Sequence, residues 1–388
     1  MEPAVAAAAA AAAPAEPAAS PPAAELVCIG DLHGHIDKTE ALWGALTERL
    51  GPERLASATV VFLGDYCDRG PYTRDVIEWL LTLEASRKPG RTKFLAGNHD
   101  FGFGSFLRCM DVPEGFDLDA TKPPQYDSGF WAEPLAGGMH YQGRRWGGDA
   151  GKDPYSARAT FSSYGVVYEA HSSACREKLA RTVPPHHQAF LNRLLWVYDA
   201  PVAFSPGRVV CVHAGLVAEG PLDPQLAGLA ARDLAAEALQ QTTYGRFEAL
   251  SGRQEVEHMH PELAGQAMLV SGHHGFSRQE GDRLIMDTSG GRAGAEWPIE
   301  AIVLPSQEVI SSNGQPARAM PRRPAKRSMG AMGEDFRPMP TAELATAARA
   351  GASARVEPLR SQLLSKFANA TESANGSDDR EQNDQWVD

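Results

Sequence analysis

The sequence predicts an α/β fold built in layers, and three observations lead there. Between about residues 25 and 310, short apolar and β-branched runs alternate with amphipathic segments of helical period. Five of the strand-like runs end within two or three positions of a glycine and an oxygen- or imidazole-bearing side chain. With 43% hydrophobic and 22% charged residues among 388, the chain can bury a core large enough for such layers.

Taken in order, Leu26–Ile29 is wholly apolar and runs straight into Gly30-Asp31-Leu32-His33-Gly34. Asp37–Leu50 carries Leu42, Leu46 and Leu50 on one face and stops at Gly51-Pro52, as a helix does. Thr59–Leu63 is the next β-branched run, with Gly64-Asp65-Tyr66-Cys67-Asp68-Arg69-Gly70 at its end. Tyr72–Glu84 spaces Val76, Ile77, Leu80 and Leu81 helically, and Lys93–Ala96 forms a third strand leading into Gly97-Asn98-His99-Asp100. His186-His187 opens a helix predicted to run to Trp196. Val209–Val212 precedes His213-Ala214-Gly215, and Met268–Val270 precedes Ser271-Gly272-His273-His274.

The two ends differ from this middle. Residues 1–24 hold 14 alanines and five prolines, and no basic residue precedes Lys38, so they read as a disordered leader rather than a secretory or organellar signal. Residues 311–388 hold nine Leu, Ile, Val, Phe or Trp in 78 positions, too few for a packed core, and read as a mostly disordered tail. Within it, Arg318, Arg322, Arg323, Lys326 and Arg327 form either a nuclear-import signal or a solvated charge run. Thr341–Phe367 has the pattern of an amphipathic helix interrupted by Gly351 and Pro358, and Thr371–Asp388 is acidic. The folded unit is therefore expected at 25–310.

Composition excludes several functions. A net charge of −12 argues against nucleic-acid binding, and no stretch outside the alanine run approaches the 18 apolar residues of a membrane span. Five cysteines without C-x-x-C spacing argue against structural zinc or a disulfide framework. They suit a reducing compartment, so the protein is expected in the cytoplasm, or in the nucleus if the basic cluster acts as a signal. Cys67 is expected to be a buried thiol. The polar set at the strand ends (Asp31, His33, Asp65, Asn98, His213 and His273) offers oxygen and imidazole donors, which suit manganese, iron or zinc.

Asp31-x-His33, Gly64-Asp65-x-x-Asp68-Arg69-Gly70, Gly97-Asn98-His99-Asp100, His213-Ala214-Gly215 and Gly272-His273, in that order, resemble the calcineurin-like metallophosphoesterase superfamily. The Asp-Arg-Gly step resembles its phosphoprotein-phosphatase branch, including the Shewanella-like phosphatases. The resemblance implies a four-layer fold, a central β-sandwich flanked by helices, with two divalent or trivalent metal ions at the strand ends. It implies that Asp31 and His33 hold one metal, that Asp65 bridges both, and that Asn98, His213 and His273 complete the second. A water or hydroxide between the metals would attack phosphorus, Arg69 would clamp a phosphate oxygen, His99 would protonate the leaving oxygen, and Asp68 would orient His99. The activity implied is hydrolysis of phosphomonoesters, with phosphoproteins, including phosphotyrosine, as the leading substrate class. The alternatives are small phosphate esters or dinucleoside polyphosphates, or a catalytically weak scaffold. His274 stands beside His273 as an alternative ligand; its neighbour's place after Gly272 favours His273.

The chain departs from the pattern in three places. The family's arginine before Gly-Asn-His is Ala96 here, and its following glutamate is Asp100. Asn98 and His213 are 115 residues apart, which implies an insertion at about 101–165. Within it Gly137–Gly148 is aromatic and basic between glycines. It reads as a lid bringing Arg144 or Arg145 to the substrate phosphate and Trp146 or Tyr141 to its organic part, or else as an exposed turn. His140, His171, His186, His187, His258 and His260 match no motif and are expected to be structural.

Overall fold

Leu26–Ile29 forms β1, and its four side chains are buried on both faces of the strand, as a continuous apolar run in a covered sheet requires. The computed structural model describes residues 25–121, 138–148, 155–169, 172–239 and 247–321. The further strands are β2 (Thr59–Phe62), β3 (Thr92–Phe94), β4 (Tyr198–Pro201), β5 (Arg208–Cys211), β6 (Met268–Ser271), β7 (Ser277–Glu280), β8 (Arg283–Met286), β9 (Glu300–Leu304), β10 (Glu308–Ser311) and β11 (Arg318–Ala319). The helices are α1 (Ile36–Leu50), α2 (Pro52–Ser57), α3 (Thr73–Ser86), α4 (Asn98–Phe106), α5 (Tyr141–Arg145), α6 (Arg158–Ser163), α7 (Ser173–Thr182), α8 (Pro185–Asn192), α9 (Leu222–Ala231) and α10 (Glu248–Ser251).

Two sheets result, a six-stranded one in the order β11-β10-β9-β1-β2-β3 and a five-stranded one in the order β4-β5-β6-β8-β7. The period of two divides each strand between two cores. Leu26 and Cys28 pack with Val61, Val209, Cys211, Val270, Leu284 and Ile302 between the sheets, where the sulfurs of Cys28 and Cys211 come within 3.9 Å. Val27, Ile29, Val60 and Phe62 on one sheet, and Val210, Val212 and Leu269 on the other, face outward onto the helices. This is the layered α/β fold that the strand pattern predicts and the flanked β-sandwich that the resemblance implies.

In α1, Ile36, Thr39, Leu42, Leu46 and Leu50 repeat every three or four positions on the buried face, and the helix stops at Gly51, whose φ of 78° few other residues adopt. The predicted helix from His186 is shorter than expected. It ends at Asn192 because Leu195 leaves the helix to bond to the edge of β3, donating to Phe94 O at 2.9 Å while Ala96 donates to Leu195 O at 2.7 Å.

Two boundaries move. Residues 311–321, assigned to the tail by composition, belong to the sheet: β11 pairs with β10, Met320 is buried, and Arg318 bonds to Glu300 at 2.6 Å. Arg318 is thus tied to the fold, while the rest of the basic cluster, the leader 1–24, Thr341–Phe367, Thr371–Asp388 and His171 lie outside the described residues. The stretch expected as an insertion contributes core as well as loop. Trp146 from its middle is fully buried, stacked on Phe103 at 4.6 Å and on Phe161 at 5.5 Å. An indole with rings on two sides cannot serve as an exposed turn.

Candidate active site

Strands β1, β2 and β3 run parallel, as do β5, β6 and β8, so their carboxyl ends gather the loops that follow them at one edge of each sheet. Asp31 and His33 follow β1, Asp65, Asp68 and Arg69 follow β2, Asn98 and His99 open α4 after β3, His213 follows β5, and His273 follows β6. Five of these residues adopt left-handed backbone: His33 (φ 45°), Asp65 (54°), Asp68 (69°), Arg69 (62°) and His273 (70°). Only nine described non-glycine residues do so, and their concentration here marks loops held taut by their surroundings.

Asp65 is the hub. Its Oδ2 lies 3.5 Å from His33 Nε2, 3.3 Å from His213 Nε2 and 3.9 Å from His99 Nε2. Its Oδ1 accepts the His99 backbone N–H at 3.0 Å. Donor atoms of His33, Asp65 and His99, and separately of Asp65, His213 and His273, fall within 4.8 Å of one another. Asp31 joins from the other side, 3.8 Å from His33 Nε2 and accepting the His273 N–H at 3.1 Å. A Cβ on Gly97 would collide with Asp65 Oδ1, so that position must remain glycine for the loops to close. Asp100 knits the β2 and β3 loops together by accepting the N–H groups of Asp65, Gly97 and Tyr66. Burial, then the Asp65 carboxylate, pushes its carboxyl up to about 7.

The residues fit a pair of cations on three counts. Asn98 Oδ1, His213 Nε2 and His273 Nε2 are buried without a hydrogen-bond partner, each a cost of about 1–3 kcal/mol that a coordinated ion would remove. The other nitrogens are spoken for: His33 Nδ1 donates to Cys67 O at 2.9 Å and His213 Nδ1 to Leu63 O at 2.7 Å, leaving Nε2 toward the cluster in both. Carboxyl groups crowd one another, since burial and then Asp287 and Asp65 push the Asp31 carboxyl well up. Burial also holds His33 and His273 well below the ordinary histidine range, in the neutral state a ligand requires. His213 differs: burial opposes its charge, but Asp65 outweighs burial and raises it. His274 turns its Nε2 to Ala214 O at 2.8 Å, outside the donor groups that include His273.

Beside the hub, His99 Nδ1 lies 2.8 Å from Asp68 Oδ2, which leaves Nε2 toward Asp65. Asp68 is held in turn. Trp146 Nε1 donates to the same oxygen at 2.9 Å and Thr160 Oγ1 to the other at 2.6 Å. Trp146 was expected to touch a substrate's organic part; buried completely, it instead fixes the carboxylate beside His99. No motif carries this role, because the indole and the carboxylate are 78 positions apart. Cys67 is fully buried, and burial, then Asp68, pushes its thiol well up, as the buried-thiol reading has it.

Cationic groups frame the cluster. Arg69 donates to Gly290 O at 2.9 Å and to His33 Nε2 at 2.8 Å. Arg144 and Arg145 do not join it. The Arg144 Nε donates to Met139 O, and the charges it feels are those of Arg108 and Asp117, while Arg145 lies over the Tyr141 ring at 5.8 Å. The helix that carries them packs along α4. Sequence reasoning missed two residues. Arg253 donates to His273 O at 2.6 Å and faces Arg69, Asp287, Asp65 and Asp31. Asp287, buried just past β8, accepts from Gly275 and Gly290. Asp287 follows the same rule of a polar residue after a strand, and reading Arg283–Met286 as a strand would have found it; Arg253 carries no local signal. His140 and His260 cap short helices through Nδ1, a structural use as expected.

Fold and site together define a layered α/β protein with a buried Asp/His donor cluster at the ends of its parallel strands. Residues 25–284, well over half of the chain, match the family described as calcineurin-like phosphoesterase, and the chain belongs to that family. The serine/threonine-protein phosphatase 6 catalytic subunit of Drosophila melanogaster is 36% identical over 89 residues, 22% of this chain and 27% of that protein. The chain thus spans about a quarter of the length of that curated relative. Among solved structures, a putative diadenosine tetraphosphatase is similar at 18% identity and a TM-score of 0.39, covering 74% of this chain and 93% of its own. A cold-active protein-tyrosine phosphatase of a psychrophile Shewanella sp. is similar at 16% identity and a TM-score of 0.37, covering 76% and 80%. Among the described residues no helix is long and apolar enough to cross a membrane.

Proposed function

We propose that the protein is a dinuclear-metal phosphomonoester hydrolase acting on phosphoproteins in the cytoplasm. The observation that carries the reading is the convergence on Asp65 of histidines from both sheets, with three buried donor atoms left unpartnered around it. Asp31 and His33 on one side, and Asn98, His213 and His273 on the other, would hold the two ions, with Asp65 between them. Bound there, manganese, iron or zinc would supply the charge that lowers the pKa of water and neutralises the phosphoryl group.

The chain's own residues do the rest. Arg69 binds a phosphoryl oxygen through its planar fork, and Arg253, within electrostatic reach of Arg69, Asp287, Asp65 and Asp31, is the second cation in place of the arginine missing at Ala96. His99 gives the proton on Nε2 to the leaving oxygen, while Asp68 holds the ring by Nδ1 and stabilises its charge. The preference for phosphoproteins rests on the Asp68-Arg69-Gly70 step and on likeness to a protein phosphatase catalytic subunit. Purified protein supplied with Mn²⁺ is expected to release phosphate from peptides bearing phosphoserine, phosphothreonine or phosphotyrosine. Turnover of dinucleoside polyphosphates with no release from any peptide would replace this substrate class with the nucleotide one.

Trp146→Phe keeps the ring stack and removes only the donor to Asp68 Oδ2. A buried bond to a charged group is worth about 1.5–3 kcal/mol, so kcat should fall on the order of tenfold or more. Metal content is expected to be unchanged. A kcat equal to that of the unaltered protein would remove Trp146 from the machinery.

A further inference from the structure

Outside the strand-end cluster, α3, the turn after α6 and the first turn of α8 assemble a second kind of donor set. Glu78 Oε2 lies 2.9 Å from Nε2 of His186 and 2.9 Å from Nε2 of His187. Donor atoms of the three residues fall within 4.8 Å of one another. His187 is fully buried, and its Nδ1 meets the Tyr164 hydroxyl at 2.8 Å. With an ion bound, Nδ1–H donated to that oxygen would leave the Nε2 lone pair on the Glu78 side; an outer partner that fixes the tautomer in this way is how metal-ligating histidines are oriented. The side chains of His186 and Glu78 are 56% and 45% exposed, which leaves an approach for an ion and room for the waters that complete its shell.

We propose that Glu78, His186 and His187 form a third cation site, for Zn²⁺ or a similar borderline divalent ion. Two imidazoles and a carboxylate match zinc donor chemistry, whereas Mg²⁺ and Ca²⁺ require a shell of oxygens. The bland alternative is a hydrogen-bonded clasp in which each histidine donates Nε2–H to Glu78. The two differ at Nε2: in the clasp it carries a proton toward Glu78, and in the site it offers its lone pair to the ion. Occupation would tie α3 to α8 and, through Tyr164, to α6, whose Thr160 holds Asp68. The site would thus brace the element that positions the Asp68 carboxylate beside His99, without entering the cluster.

Full-length protein, stripped by chelation and dialysed against excess Zn²⁺, is expected to retain one more zinc per chain by elemental analysis than His186→Ala or Glu78→Gln protein treated alike. Zn²⁺ should also raise the unfolding midpoint of the unaltered protein above the rise it gives either variant. Both substitutions are at exposed side chains and leave every strand-end donor intact, so the difference in zinc count stands whether or not the chain hydrolyses phosphate esters. Equal zinc counts in all three proteins overturn the proposal and leave the clasp.

Discussion

His99→Asn is expected to lower kcat on an alkyl phosphate monoester on the order of 10²–10⁴-fold and to cost far less on a nitrophenyl ester. An alkoxide is strongly basic and cannot leave without a proton, whereas nitrophenolate leaves unaided. The geometry limits what else the substitution disturbs. Asn retains a donor toward Asp68, whose other bonds from Trp146 and Thr160 remain. Steady-state kcat on the two esters, with metal content measured on the same preparation, decides the role. Equal losses on both would remove His99 as the acid. Loss of bound metal would instead make it a ligand, a role within reach because its Nε2 groups with donor atoms of His33 and Asp65.

Asp65→Asn is expected to strip at least one of the two ions and to reduce kcat by about 10³ or more, the loss that several kcal/mol of charge stabilisation implies. The carboxylate lies close to three histidines, from loops on both sheets. Burial acts against its charge, yet His213 and His99 hold its carboxyl well below the usual range, so it stays ionised where two cations would otherwise repel. Asparagine preserves the size and the oxygen that accepts the His99 N–H, so the loops should close as before. Elemental analysis beside circular dichroism separates lost metal from lost fold. A folded variant with its full metal content and near-normal kcat would refute the hub.

Much of the site was legible because its chemistry is local to strand ends. A strand that terminates on glycine and a polar side chain records, within five or six residues, both the turn and the donor it presents, and Asp31, His33, Asp65, Asn98, His213 and His273 were read as candidate donors in this way. Arg253 was not, since no strand leads into it and its meaning lies in facing Asp31 and Asp65 from a distant turn. Asp287 was missed because β8, only four residues long, passed without being read as a strand. Trp146 was misread for a related reason. Glycines on both sides suggested an exposed loop, and nothing local reveals that Phe103 and Phe161 close over the indole.

From its sequence alone the protein's layered α/β class, the order of its strand-end loops and the chemical character of its donors were determined, because apolar periodicity and glycine-flanked polar residues act over a few bonds. Only the tertiary structure decided which donors share Asp65, which buried atoms lack a partner, and which residues brace His99. Those depend on contacts such as His273 with Asp31, 242 positions apart, and Trp146 with Asp68, 78 apart. Packing of two sheets brings such residues together, and no short-range pattern in a chain encodes the distance between segments that meet only when the core has formed.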